Sequence, residues 1–215
     1  MQSLLFPEFS PDDLDQRALS VWTDQWLEQF PKLSPGDDTL AASALVLRKL
    51  DTPLGPMLAA ATDKLCLLEF VDEERIKKQL QRAARHDDLP MVYDERGACA
   101  LLDEVQDQVE GYFAGERHQF DVPLAPASTA FQELLFRELV KIPYGTQVSY
   151  GEMASRIDRP SAARAVGAAN GLNPIAIIQP CHRVVGADGT LTGYAGGLWR
   201  KQRLIELEAQ DRLVP

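Results

Sequence analysis

The chain has 215 residues, 45% hydrophobic and 25% charged, the make-up of a folded globular protein of one large or two small domains. No apolar run reaches the roughly 20 residues of a membrane-spanning helix, and residues 1–7 carry neither a basic flank nor a signal-peptide core, so a cytoplasmic protein is expected. The formal net charge of -10 argues against a simple electrostatic nucleic-acid binder, but from residue 120 onward ten Lys/Arg stand against nine Asp/Glu, while the first 119 residues hold twelve against twenty-three.

In chain order, residues 1–36 read as an N-terminal extension of unreadable role. Within it, 13–30 is amphipathic, with Leu14, Leu19, Val21, Trp22, Trp26, Leu27 and Phe30, and predicts a helix packed on something and stopped by Pro31 and the Ser34-Pro35-Gly36 turn. It could equally be the remnant of a linker. Residues 40–72 look like a β-meander of short apolar runs at 43–47, 57–61 and 65–70, with turns at 52–56 and 62–63. Helices follow at 72–86, with Ile76, Leu80 and Ala84 at helical spacing, and at 101–115, with Leu102, Val105, Val109, Tyr112 and Phe113 as the apolar stripe. This N-terminal α/β domain, 37–122, shows no chemistry of its own.

Prolines and small residues at 120–128 mark a boundary, after which 123–215 forms a second, mainly helical domain. Ser128 or Thr129 caps a helix over 130–140 with Phe131, Leu134, Leu135 and Leu139 inward. A turn at 142–146 precedes two short helices. The first opens with a capping box, Ser149 with Glu152, and runs to Ile157; the second covers 162 to about 170. Two short helices joined by a tight turn form a helix-turn-helix pattern. The second is made of alanine, glycine and a single arginine, Arg164. Such a helix can press close to a nucleic-acid backbone and leave its arginine to act as a wedge, though a tightly packed interior helix has the same composition.

The cysteines are Cys66, Cys99 and Cys181. An odd count without short spacings excludes a disulfide framework and a cysteine-rich zinc site. Cys66 reads as core; His86 and His118 are isolated and read as solvated, so no metal and no cofactor are expected. Cys181 differs in its neighbours. Pro180-Cys181-His182-Arg183 lies between the apolar pairs Ile177-Ile178 and Val184-Val185, which read as buried strand or as tight packing around a turn, and glycine-rich turns follow at 186–197. A thiol is a nucleophile as thiolate, and an adjacent imidazole, acting through a water, can take its proton.

Residues 180–184 resemble the signature of the methylated-DNA–protein-cysteine methyltransferases, also called O6-alkylguanine-DNA alkyltransferases. Further matches in order are Ser149-Tyr150-Gly151-Glu152-Met153-Ala154, Ala163-Arg164-Ala165-Val166-Gly167, Asn173-Pro174, Tyr194-Ala195-Gly196-Gly197-Leu198 and 201–208, with a looser match over 52–70. The resemblance implies an α+β protein: a small ribonuclease-H-like α/β domain, then a mainly helical domain holding the helix-turn-helix and the active-site cysteine.

It also implies a monomeric DNA-repair protein that binds alkylated duplex DNA through the minor groove, with no obligate protein partner. The damaged guanine would be rotated into a pocket and its alkyl group passed irreversibly to Cys181, one turnover per molecule. On this resemblance Arg164 fills the space left by the base, with Ala163, Ser149 and Asn173 also on the DNA-binding side, Asn173 bracing the turn towards the cysteine. Glu208 orients His182, Tyr150 supplies a proton or hydrogen bond to the base, and Lys201 lies on its O6 side. Val184, Tyr194 and Ala195 line the base pocket, the Val184 carbonyl accepting from the exocyclic amine and the Ala195 amide pointing at O6. Three positions depart from the family pattern: Ala195 where some members have serine, Asp158 where a small residue or glycine is expected between the two helices, and Gln179 where an apolar residue is usual. Two other readings of the chain are a non-catalytic alkylated-base binder and a Cys-His thiol hydrolase.

Overall fold

The computed structural model describes residues 12–37, 40, 43–84 and 89–210. Its elements are α1 (Asp12–Leu27), β1 (Leu45–Leu50), β2 (Met57–Ala61), β3 (Leu65–Phe70), α2 (Glu73–Ala84), β4 (Met91–Tyr93), α3 (Ala100–Phe113), α4 (Ala130–Val140), β5 (Val148–Ser149), α5 (Tyr150–Arg156), α6 (Ala163–Asn170), a 3-10 turn (Cys181–Arg183), β6 (Val184–Val185) and α7 (Leu198–Gln210). The mixed α+β class is as the sequence leads one to expect. His86 lies outside the described residues.

The first four strands form one sheet in the order β3-β2-β1-β4. The β1–β2–β3 meander is antiparallel, whereas β4 returns parallel to β1. At three residues β4 is too short to show a period, and no strand is expected there from residue order. Both faces of the sheet are covered. On one side α1 and α2 bring Leu27, Ile76 and Leu80 onto Leu45, Leu47, Leu58 and Leu67. On the other, α3 and the C-terminal half cover Val46, Met57, Ala59, Leu68 and Phe70. Strands buried on both faces need no polar alternation, which is why β1 and β2 read as continuous apolar runs. Arg48, fully buried in β1, is paired with Asp94 and with Asp103 at 2.7 Å.

The α1 helix therefore has a partner, the outer face of this sheet. Trp22, Trp26 and Phe30 form an aromatic ladder along it, with ring centroids 5.8 and 4.9 Å apart, while Val21 points to solvent. Cys66 is only half-buried, its thiol facing the Lys64 carbonyl in the β2–β3 turn, so it is not the core residue the apolar run suggests. His118 is exposed, as expected of a loop, and its ring stacks on Tyr144 at 4.1 Å.

The segment after α3 does not leave the sheet at once. Leu124 bridges to Leu65 and Ile175 bridges to Leu68, so edge strand β3 holds the C-terminal half at two points. A second core, built from Leu135, Phe136, Leu139, Met153, Ala154, Ile157, Val166 and Val184, fastens α4 to the α5–α6 pair. Thr129 caps α4 by accepting from the Gln132 amide. Ser149 and Glu152 form the complete capping box of α5. Leu134, expected inward, is exposed, and Phe136 is buried in its place: the helical stripe runs through 135, 136 and 139, and Leu134 falls outside its arc.

This places a checkable contrast on one helix. Leu139→Ala should cost ~2–5 kcal/mol, as expected of a fully buried leucine, whereas Leu134→Ala should stay within about 1 kcal/mol; urea denaturation of the two variants distinguishes them.

Candidate functional site

Asp158, between α5 and α6, adopts φ 56°, the left-handed conformation that accounts for the expectation of a glycine and that aspartate tolerates better than most residues. It reverses the chain so that α6 crosses α5, and Gly167 comes against the Tyr150 ring, where a Cβ would lie 3.6 Å from it. Arg164, Ala165 and Ala168 face solvent and Val166 and Ala169 face the core, leaving a smooth outer surface with one long side chain. Among the described residues Arg164 makes no ion pair. Ala163 is half-buried beside it.

From α6 the chain passes through Asn173 to the cysteine. The carbonyl of Pro174 accepts from Leu68 N and Ala176 N donates to Leu68 O, so β3 clamps this passage. Asn173 is buried and uses both ends of its amide. Its Oδ1 accepts from Ile175 N at 3.0 Å, and its Nδ2 donates to Gln179 O at 2.8 Å and to Cys181 Sγ at 3.2 Å. Of the two readings left open for 177–178, the turn is realised: Ile177 has φ 69° while fully buried, a strained conformation for a β-branched residue. The strain lies four residues before the thiol, where the chain must fold tightly enough for Cys181 N to donate to Gln179 O at 2.7 Å.

Cys181 opens the 3-10 turn with 7% of its surface exposed, beside polar groups rather than sealed in hydrocarbon. Burial pushes its thiol up to about 11, with the Asn173 hydrogen bond as the main opposing influence and Lys201 a smaller one. The resting sulfur is therefore a neutral thiol that needs a base. His182 is fully buried, and burial holds its imidazole below the ordinary value despite the nearby Glu208. Its Nε2 lies 2.7 Å from Glu208 Oε1, and its Nδ1 has no hydrogen-bond partner among the described residues. Burial alone would raise the Glu208 carboxyl, but His182 and Arg183 outweigh it and hold Glu208 well below the usual carboxylate range. An ionised Glu208 can only accept, so His182 Nε2 carries the hydrogen and Nδ1 is the basic nitrogen.

Of the expected site residues, Asn173 meets Cys181 and His182 meets Glu208, while Arg164 stays on the outer face of α6. Lys201 and Glu208, which on spacing alone could be a solvated helix face, are both buried on α7. Lys201 Nζ donates to Val184 O at 2.6 Å and to Thr192 O at 2.8 Å, and burial lowers it to about 8. The Tyr150 hydroxyl donates to Thr192 O at 3.0 Å, and Lys201 lies 5.8 Å from the Tyr150 ring centroid. Val184 is buried, and β6 pairs with β5 beside the capping residue Ser149. Tyr194 and Ala195 sit in the loop before α7. The Tyr194 hydroxyl is buried without a partner among the described residues, and the Ala195 amide donates to no described backbone carbonyl. Gln179 is buried with its side-chain oxygen likewise unpartnered.

Three participants were not singled out beforehand. Arg183 embraces Glu208 through Nε at 2.9 Å and Nη2 at 3.0 Å and donates to Ile142 O at 2.6 Å. Gly145 N donates to Glu208 Oε2 at 2.9 Å, and Tyr112 in α3 donates to Oε1 at 2.8 Å. The N-terminal half, which shows no chemistry of its own in the sequence, does supply one contact here: the Tyr112 hydroxyl reaches the carboxylate that holds the imidazole. Arg183 had a signal in its place within the signature; Tyr112 read only as one apolar stripe residue among five. Among the described residues no group of three His, Cys, Asp or Glu is arranged to hold a metal ion.

Fold and site together define a class: an α+β protein in which a helix-turn-helix is joined by a short clamped passage to a buried cysteine backed by an imidazole and a carboxylate. Residues 45–126 match the ribonuclease-like domain of 6-O-methylguanine DNA methyltransferase, and residues 130–210 its DNA binding domain. The methylated-DNA--protein-cysteine methyltransferase of Mycobacterium leprae is 46% identical over 168 residues, 78% of this chain and 94% of that protein. The enzyme of the same name from Methanosarcina acetivorans is 45% identical over 158 residues, 74% and 94% of the two chains. Among solved structures, Mycobacterium tuberculosis OGT in complex with DNA superposes with a TM-score of 0.66 at 43% identity, covering 78% of this chain and 94% of that one. The chain belongs to the 6-O-methylguanine DNA methyltransferase family.

The buried carboxylate has a signature in stability. Glu208→Gln should cost on the order of 3 kcal/mol at pH 7, because Arg183 is left without its counter-charge. A depressed carboxyl stabilises the fold fully above its unfolded value, 4.5, and loses that contribution as pH falls through the lower folded value. The gap between wild type and variant should therefore narrow below about pH 4.5, as measured by urea denaturation across an acid series.

Proposed function

We propose that this protein repairs O6-alkylguanine in double-stranded DNA by moving the alkyl group onto its own Cys181. The observation that carries the reading is the pair of contacts Asn173–Cys181 and His182–Glu208 on the passage that follows a small-residue helix, whose single arginine makes no ion pair among the described residues. The division into an extension over 1–36, an N-terminal domain over 37–122 and a DNA-binding and transfer domain over 123–215 is part of the same proposal. So is a cytoplasmic setting, in keeping with three cysteines that form no disulfide among the described residues.

In this reading α6 enters the minor groove, Ala163 and Ser149 approach the backbone, and Arg164 takes the place of the rotated nucleotide. The base enters between Tyr150, Val184, Tyr194 and Ala195. Nδ1 of His182 accepts the thiol proton through a water, Glu208 holds the resulting imidazolium, and Asn173 and Lys201 favour the thiolate. The sulfur attacks the alkyl carbon in line, forming the S–C bond as the C–O6 bond breaks. The electron pair passes to the guanine, where the Ala195 amide meets it and the Tyr150 hydroxyl gives the proton that restores the neutral base; the proton held on His182 leaves to water, and water reprotonates Tyr150, so the step balances. The Val184 carbonyl already accepts from Lys201 but has a second lone pair for the exocyclic amine. A thioether is not cleaved by this machinery, so each molecule acts once.

The test is a stoichiometric transfer assay with DNA carrying labelled O6-methylguanine. Label should move to protein up to one equivalent, with the peptide containing Cys181 gaining a methyl group in place of a proton; turnover beyond one equivalent on an ester or peptide would instead mark a thiol hydrolase. Cys181→Ala should abolish transfer while retaining duplex binding, as gel-shift titration reads it, and transfer by that variant would refute the assignment of the acceptor. Arg164→Ala should slow duplex repair about tenfold or more while changing reaction with free O6-benzylguanine by no more than about twofold; equal losses on both substrates would remove its wedge role.

A further inference from the structure

The Glu208 carboxylate is held from the other half of the molecule as well. Tyr112 is fully buried in α3, and its hydroxyl lies 2.8 Å from Oε1, the oxygen that also takes His182 Nε2. Its ring is set by Phe113 beside it on α3 at 5.4 Å, by Phe120 in the segment that follows at 5.7 Å and by Tyr144 in the turn after α4 at 6.0 Å between centroids. The charged and titratable groups facing it are Glu208, Arg183 and Tyr144, with His182 and then Lys201 beyond the carboxylate. Burial, reinforced by Glu208, keeps the phenol protonated far above neutral pH, so it remains a donor throughout the working range.

We propose that Tyr112 is a positioning residue for alkyl transfer, fixing Glu208 Oε1 and drawing charge from it so that His182 stays neutral and able to take the thiol proton. This rests on the proposed Glu208–His182–Cys181 relay and makes the N-terminal domain part of it. A hydrogen bond to a carboxylate spreads its charge. Remove the bond, and more negative potential falls on the His182 Nε2–H. The imidazolium is then favoured, and at a given acidic pH a smaller fraction of His182 is available as base.

The experiment is single-turnover reaction of full-length protein with O6-benzylguanine between about pH 5 and pH 9, comparing wild type with Tyr112→Phe. The variant should move the acid limb of the rate profile up by about half a unit or more, with the plateau above it kept within about twofold. An NMR titration of the His182 imidazole should show the same displacement without any turnover. Incorporating 3-fluorotyrosine at position 112, a stronger donor of nearly the same shape, should move the limb the opposite way and covers the case in which Tyr112→Phe folds poorly. In a Glu208→Gln background Tyr112→Phe should produce no further displacement. A lower rate at every pH with an unmoved limb would reduce Tyr112 to a packing residue and overturn the proposal while leaving the relay intact. A displacement that persists in the Glu208→Gln background would overturn it too, and plateau rates unchanged in both His182→Ala and Glu208→Gln would overturn the relay and the proposal together.

Discussion

A single carboxylate, removed from water and surrounded by donors, is the constraint from which most of this structure follows. Glu208 receives the Tyr112 hydroxyl, the His182 imidazole, the Arg183 guanidinium and the Gly145 amide. These come from α3, the turn after α4 and the active-site turn, and Glu208 itself from α7. An isolated buried charge is strongly unfavourable, and a paired one is tolerated only if its lone pairs are filled in good geometry. The four segments must therefore meet at one point before the carboxylate can sit there at all. Once they do, His182 has no freedom in its tautomer, and its basic nitrogen is the one left over.

The thiol is governed by a second constraint, the shortness of the path from α6. Asn173 touches the Cys181 sulfur eight residues ahead of it while bridging the turn between them, and β3 pins the same path from outside through Leu68. The strained φ of Ile177 is the cost of folding that path so tightly, sustained by the complete burial of its side chain. The α6 helix and the Cys181 sulfur are thereby held at a set distance. The edge strand that sets it belongs to the N-terminal sheet. Nearby, Arg75 links Glu69 on that strand to the carbonyl of Gly171 at the end of α6, a further tie between the halves, with burial raising the Glu69 carboxyl to about 7.

Charge is divided in the same sense. The acidic excess lies in the first 119 residues, leaving the half that carries α6 close to neutral. No long-range basic field is available to that half, so in the proposed reading duplex affinity rests on local groups such as the exposed Arg164, with the exposed Asp158 opposing it. The α1 helix takes no part in this; its aromatic ladder covers the outer face of the sheet.

Much was readable from residue order. The apolar runs of the meander, the stripe of α3, the capping box of α5 and the glycine-poor turn at Asp158 are local, and local sterics and hydrogen bonding place them without help from distant chain. The ordered motifs from Ser149 to Glu208 pointed to the groups around Cys181 and His182 through their resemblance to a family, since Tyr150, Lys201 and Glu208 taken singly read as packing or as a solvated face. Three kinds of fact lay beyond that reach. Parallel pairing of β4 with β1 needs a partner more than forty residues away, and so short a strand has no period. The inward choice between Leu134 and Phe136 depends on which helix is packed against α4. The hydroxyl of Tyr112 acquires a role only when α3 is laid against α7, since nothing in an amphipathic stripe says which of its buried members will meet a charge. Periodicity reports that a side chain leaves water; what it meets there is set by packing between segments far apart in the chain.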